Sequence, residues 1–385
     1  MSHAFMAEEL ARIAAAGRTR SLRTIQSAPA PRIRMEGRDV LLLCSNNYLG
    51  LADDARLIAA GQAALERYGT SAGGSRLISG NTDLHRGLET DLAQLKGTDD
   101  AVLFPSGYQA NLAAVAALVG PGDLVLGDRL NHASLIDACR LSRADIQVYD
   151  HADAEHAGRL LREHRRQHRR ALVVTDGVFS MDGDLAPLRQ LGEATAANDA
   201  LLMVDDAHGT GVLGDGAGTA RHLGATGVDI HMGTLSKALA SQGGFIAASG
   251  QACEYLRNVA RPFIFSTALA PASVAVARRA VAIVRDEPER RTRLHANAAR
   301  LRNGLREAGL PVPAGETPII PVVIGAEDAA MAFMQRLEAG GVYAAAVRPP
   351  TVAAGSCRIR ATVMATHTAA QIDHAVAAFK SARRP

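Results

Sequence analysis

Between residues 101 and 248 the chain repeats one pattern, a short continuous apolar run followed by a segment with helical spacing. The runs are Ala101–Phe104, Leu124–Leu126, Ile146–Tyr149, Ala171–Thr175, Leu201–Val204, Ile230–Met232 and Gly244–Ala248. Around and between them apolar residues recur at helical intervals, as in Leu84, Leu88, Leu92 and Leu95, or over Asn111–Val119. Strands that are apolar throughout must be covered on both faces, and helices between them are the connections of a parallel sheet. The pattern predicts an α/β fold built on a mostly parallel, seven-stranded sheet. In such sheets ligands lie beyond the carboxyl ends of the strands. At those ends the sequence collects its polar residues: FPSG, LGDRLNH, VTDG, VDDAHG and GTLSK.

After about Pro271 the texture changes. A helical stretch runs from Ala272 to about Ala308 with an interruption near Pro288. Short strands follow around Ile319–Ile324 and Arg358–Ala361, then a terminal helix over Ala369–Lys380. The expected division is an arm (1–45: helix, SAPAPR loop, strand) packing on the small domain, a large domain (46–270) and a smaller α+β domain (271–385). There is no internal repeat.

Composition excludes several classes. Forty-two basic against 39 acidic residues leave a net charge of +3, which gives no strong attraction to nucleic acid or an anionic membrane. The basic run Arg162–Arg170 (REHRRQHRR) reads as a solvated helix end. The uncharged stretch Pro262–Ala277 holds two prolines and is too short to span a bilayer. Cys44, Cys139, Cys253 and Cys357 form no CxxC and lack a histidine at metal-ligand spacing, so reduced thiols and no metal are expected. With no signal-peptide order at the N-terminus, the chain reads as a soluble cytoplasmic protein.

Only three of the basic residues are lysines: Lys96, Lys237 and Lys380. Lys96 and Lys380 read as surface charge. Lys237 follows a strand and stands in GTLSKALASQGG. A lysine amine condenses with an aldehyde; a guanidinium does not. Asp205 ends the strand before it, 32 residues upstream, and His208 follows. Taken singly, Asp205 is as readily an ion-pair partner or a helix cap. Taken with Lys237 it meets the needs of pyridoxal phosphate, with a lysine for the aldehyde and a carboxylate that keeps the ring nitrogen protonated. Thr234 and Ser236 suit phosphate oxygens. The Gly107–Tyr108 turn opens a helix whose N–H groups and dipole favour an anion. His132 either stacks on the ring or serves as a core or cap residue. Asp176 and Ser180 follow another strand end. Gly209, Gly211 and Gly214 spell GxGxxG, the basis for a nicotinamide oxidoreductase as the rival reading. Asp-Asp-Ala-His intervenes after the strand, however, where the fingerprint requires an immediate turn into an apolar helix.

These segments, in order, resemble the α-oxoamine synthases among the fold-type I pyridoxal-phosphate enzymes. The matching pieces are SNNYLGL (45–51), GTSAGGSRLISG (69–80), LHRGLETDLA (84–93), SGYQAN (106–111), NHASLIDA (131–138), TDGVFSMDGDLAPL (175–188), VDDAHGTGVLG (204–214), TLSKALASQGG (234–244), RPFIFSTALAP (261–271) and RPPTVAAGSCRIR (348–360). They span nearly the whole chain. The resemblance implies a PLP-dependent acyltransferase and a homodimer with sites at the interface. It implies that Lys237 holds the cofactor aldehyde, Asp205 rather than Asp206 pairs with the ring nitrogen, and His132 stacks on the ring. His208 and Ser180 would lie at the phenolic oxygen, and Gly107, Tyr108 and Thr234 at the phosphate, with Thr267 reaching the partner's phosphate. Arg20 (with Arg23 as competitor), Thr351, His132 and Arg348 or Arg358 would bind substrate. The RPPTV segment is most similar to the branch that joins L-alanine to a pimeloyl thioester, on CoA or a carrier protein, in biotin biosynthesis. Glycine-using members (glycine C-acetyltransferase or 5-aminolevulinate synthase type) and serine palmitoyltransferase share most of the motifs. This chain departs in having TDG where TEG is frequent, and TVAAG where TVPAG is usual.

Overall fold

The computed structural model describes residues 3–383; the outermost two residues at each end of the expected arm and small domain lie outside the described residues. The arm begins with a helix, Ala4–Ala15. It continues into an antiparallel hairpin of β1 (Arg32–Met35) and β2 (Arg38–Leu42).

The seven predicted runs are all strands: β3 (Asp100–Phe104), β4 (Leu124–Asp128), β5 (Asp145–Tyr149), β6 (Ala171–Asp176), β7 (Leu201–Asp205), β8 (Ile230–Thr234) and β9 (Gly244–Ala248). They form one sheet in the order β3-β9-β8-β7-β6-β4-β5. Only β9 runs antiparallel to its neighbours. The cause is the connection from β8, residues 235–243, which is shorter than the dozen or so residues a parallel crossover requires. Several strands extend beyond their apolar run to end in Asp128, Asp176, Asp205 or Thr234. Ladder hydrogen bonds use backbone groups alone, so a polar side chain does not stop the strand.

The uniform apolarity of these strands has its expected cause. On one face Val125, Leu172, Met203 and Ile246 pack against Ala110 and Ala114 of helix Gly107–Leu118 and Leu135 of helix Ala133–Ser142. On the other, Leu124, Leu126, Val173 and Leu202 pack against Leu161 of helix Ala154–His164 and Leu191 of helix Leu188–Ala197. Successive strand residues point to opposite faces, so both sets must be apolar.

The C-terminal part contains helices Pro271–Asp286 and Pro288–Glu307, broken before Pro288 as the sequence suggests. It adds β10 (Ile319–Gly325), β11 (Val342–Tyr343), β12 (Ala345–Val347) and β13 (Cys357–Thr362), then the final helix Ala369–Ala382. Strands β10, β13 and β12 make an antiparallel sheet. β11 instead runs parallel to β2, joining the arm to the C-terminal part by backbone hydrogen bonds. A single apolar cluster extends from Leu103 and Phe245 through Val274 and Val284 to Ile320 and Ile359.

One surface expectation needs correction. The Lys96 side chain is only 1% exposed and is paired with Asp206; its helix ends against the underside of the β7 loop. The basic run is a mostly exposed helix end, as expected, with Arg165 and Arg169 paired to Asp199 and Asp123.

Candidate active site

The carboxyl ends of β4, β6, β7 and β8 surround a cavity of about 240 Å³, lined by Gly107, Tyr108, Asn111, His132, Asp176, Asp205, His208, Thr234 and Lys237 among others. Lys237 lies on the short β8–β9 connection, which holds it over the sheet edge. Its Nζ is 2.9 Å from His208 Nε2. Burial, aided by the positive charge of Arg360, lowers its pKa to about 8 against the pull of Asp205 and Asp176. A larger fraction of the amine is therefore neutral and nucleophilic near physiological pH than in a solvated lysine.

Asp205 is buried at the end of β7. Its Oδ2 accepts from Asn111 Nδ2 at 2.6 Å and its Oδ1 from the Ala207 N–H at 3.0 Å. Asp206 turns the opposite way. It meets Lys96 Nζ at 2.6 Å and Thr219 Oγ1 at 2.5 Å, so only the first carboxylate of the Asp-Asp pair faces the cavity. This also accounts for the GxGxxG run. A Cβ on Gly209 would stand 2.1 Å from Asp206 Oδ1, and Gly211 and Gly214 take positive φ in the turn. These glycines wrap a carboxylate and line no dinucleotide path.

At the opposite wall, helix Gly107–Leu118 points its N-terminus at the cavity, capped by Ser106. A Cβ on Gly244 would lie 2.6 Å from Gly107 Cα, so the helix start sits on the β9 backbone. Thr234 Oγ1 donates to Gly243 O at 3.0 Å and is 2.8 Å from Ser236 Oγ.

Of its two open roles, His132 takes the cap. It caps helix Ala133–Ser142, accepting from the Ser134 N–H through Nδ1, while its ring lines the cavity. Burial lowers its pKa. Asp176 Oδ2 accepts from the His132 N–H at 2.6 Å. Burial and the neighbouring Asp205 push Asp176 well above the usual carboxylate range. His208 lies against Lys237 and Tyr48, and burial drives it well below the usual imidazole range.

The remaining candidates lie elsewhere. Ser180 is not among the cavity-lining residues; its carbonyl accepts from Arg360 Nε. Thr267 pairs with Ser75 on a separate small cavity beside Arg76 and Phe263. Arg20, Arg23, Arg348 and Thr351 line one groove with Met181, Met331 and Met334. Arg23 is held by Glu36 and Glu338. Arg348 is spent on the carbonyls of Gly17 and Thr19 and on Glu327, and Arg358 on Asp182. Arg20 has no hydrogen bond or ion pair among the described residues. Asn111, Tyr48 and Arg360 were not singled out from sequence. The one available signal was the pair Arg358 and Arg360, two charges on the same face of an otherwise apolar strand.

The residues fit pyridoxal phosphate. A buried, partly neutral lysine faces the cavity with a buried carboxylate braced by two donors, a helix N-terminus lies at one wall, and Asn111 Oδ1 is a buried acceptor without a partner. This arrangement on this fold defines a PLP-dependent transferase of fold-type I.

Comparison with known proteins agrees. The class I and II aminotransferase family matches residues 38–379. An 8-amino-7-oxononanoate synthase of Geobacter sulfurreducens is 52% identical over 379 residues, covering 97% of this chain and 96% of that one. 8-Amino-7-oxononanoate synthase 2 of Bacillus subtilis is 46% identical, with 97% and 96% covered. The serine palmitoyltransferase of Sphingomonas wittichii superposes with a TM-score of 0.93 at 33% identity over 99% of this chain and 97% of that one. The 8-amino-7-oxononanoate synthase of Francisella tularensis gives 0.75 at 25% identity, with 89% and 97% covered. The chain belongs to the class I and II aminotransferases and, within them, to the 8-amino-7-oxononanoate synthases.

Proposed function

We propose that the protein condenses L-alanine with a pimeloyl thioester, giving 8-amino-7-oxononanoate, CO2 and the free thiol on the route to biotin. The observation that carries the choice of acyl group is the groove holding Arg20. Three methionines and Val347 supply an apolar wall, and one unpaired guanidinium sits in the same groove. A methylene chain ending in a carboxylate needs both. Thr351 lies in that groove as a second polar contact.

Bound pyridoxal phosphate supplies the electron sink for chemistry at the alanine Cα. Lys237 would hold the cofactor aldehyde, and its amine is the base placed to take the Cα proton. Asp205 would pair with the ring nitrogen, and Asn111 and the Ala207 N–H keep the Asp205 carboxylate aimed. His132 covers the ring face. The Gly107 and Tyr108 N–H groups and Thr234 hold the phosphate. His208 would serve the phenolic oxygen, with Ser180 as a second candidate. Arg360 is buried and its charge bears on both Lys237 and His208. That places it better for the amino-acid carboxylate than Arg348 or Arg358, whose charges do not bear on either group.

The protein acts as a homodimer in the cytoplasm. Exposed Leu77, Ile78 and Phe265 (56%, 85% and 70%) support the dimer, in which Thr267 approaches the partner's phosphate. Among the described residues no helix is long and apolar enough to cross a membrane.

The likeness to serine palmitoyltransferase supports a second reading, serine with a long acyl thioester. A long unfunctionalised chain has no use for Arg20. Product mass spectrometry decides between them, using L-alanine, glycine and L-serine against pimeloyl-CoA, a pimeloyl carrier protein and palmitoyl-CoA. The proposal expects product from L-alanine with a pimeloyl donor only. Turnover confined to serine with palmitoyl-CoA would establish the rival.

A further inference from the structure

We propose that Tyr48 is a positioning residue that fixes His208 as its Nε2–H tautomer, so that the imidazole presents a donor to the cofactor cavity. Tyr48 is fully buried in the segment leading out of the arm hairpin. Its hydroxyl lies 2.7 Å from His208 Nδ1. The next acceptor, Asn46 Oδ1, is at 3.2 Å, and Arg360 Nη2 approaches the hydroxyl oxygen as a donor at 3.4 Å. A phenol has one proton to give. With a guanidinium on its lone-pair side, that proton goes to the shortest contact, His208 Nδ1.

The protonation states agree with this direction. Burial raises the Tyr48 phenol above its ordinary pKa, so it stays protonated. Burial and the charges of Lys237 and Arg360 keep His208 neutral. A neutral imidazole carries one N–H, and an occupied Nδ1 lone pair places it on Nε2. Nε2 is the nitrogen that faces Lys237, at 2.9 Å. On the reading of this cavity as the cofactor site, the same N–H faces the phenolic oxygen, where an anion is stabilised by a donor and repelled by a lone pair. Tyr48 also stands between Arg360 and His208, so a group bound at Arg360 is felt at the imidazole through one hydroxyl.

The test is two-bond proton–nitrogen NMR of the full chain with nitrogen-labelled histidine, with His208 assigned by its loss in His208→Asn. The wild-type holoenzyme should show His208 protonated at Nε2. Tyr48→Phe should move the proton to Nδ1 or leave the two tautomers exchanging. It should also shift the holoenzyme's visible band while cofactor stoichiometry is retained. A wild-type His208 protonated at Nδ1, or an unchanged Nε2–H in Tyr48→Phe, overturns the proposal. If Tyr48→Phe does not fold, the wild-type tautomer decides alone. If the cavity held no pyridoxal phosphate there would be no visible band at all, a failure of the functional reading distinct from a wrong tautomer.

Discussion

Lys96 places its Nζ 2.6 Å from Asp206 Oδ2, almost wholly out of solvent, and so divides two adjacent aspartates between two tasks. Asp206 is a structural anion that anchors the loop after β7. Asp205, facing the other way, is left for the cavity. Removing one partner of a buried ion pair leaves the other charge uncompensated, typically at about 3–5 kcal/mol. Lys96→Met should therefore lower stability by that order in denaturant unfolding. Adding Asp206→Asn should recover part of the loss, because a neutral amide needs no counter-ion. A Lys96→Met protein as stable as wild type would contradict the pairing.

Asp205→Asn replaces a carboxylate with an amide whose NH2 faces either the Asn111 amide or the Ala207 N–H. The ring nitrogen loses its anionic partner while the cofactor's other contacts remain. Activity should fall by roughly 10²-fold or more, with cofactor stoichiometry near wild type in absorbance measurements. Near-normal turnover would remove Asp205 from its role.

The Lys237 amine has a pKa of about 8 in place of 10.5, chiefly through burial. Only the neutral amine attacks an aldehyde. The rate of reconstituting apoprotein with pyridoxal phosphate should rise with pH up to about 8 and then level off. The stability of the apoprotein carries the opposite signature to that of a paired lysine. The unfolded chain binds the extra proton between the two values, so stability should increase with pH across that window. A reconstitution rate still climbing near pH 10 would indicate an ordinary, solvated lysine.

His151 bridges Asp128 at 3.0 Å and Asp184 at 2.8 Å, pinning the loop that carries Ser180 and Asp182 to the end of β4. The two carboxylates raise its pKa from 6.5 to about 10. A raised folded value means the contribution is complete below pH 6.5 and lost as pH rises through about 10. The stability gap between wild type and His151→Gln should shrink over that window in thermal melts at stepped pH. A gap independent of pH would show that His151 is held neutral.

Arg20→Met should raise KM for the pimeloyl donor by roughly ten- to a hundred-fold, the loss expected for a hydrogen bond to a charged group. The KM for L-alanine should not move, and a heptanoyl donor, which lacks the terminal carboxylate, should be unaffected. Equal losses with both donors would place Arg20 outside the acyl site.

The sheet was legible because strands covered on both faces must be apolar throughout, and Lys237, Asp205, His132 and Thr234 because strand ends are marked by the switch to polar residues. The contacts that arrange them were not. Lys96 ends a helix whose spacing says nothing about Asp206, 110 residues away. Tyr48 meets His208 across 160 residues and Arg360 across 312, and no local pattern encodes such pairings. The arm's attachment rests on β11, two residues long, too short to carry a period.

The central claim, that this cavity binds pyridoxal phosphate through one lysine, is tested most directly by borohydride reduction of the holoenzyme followed by peptide mapping. The account predicts loss of the visible band and a single stable cofactor adduct on the peptide containing Lys237. An adduct on Lys96 or Lys380, or a protein that takes up no cofactor, would contradict it.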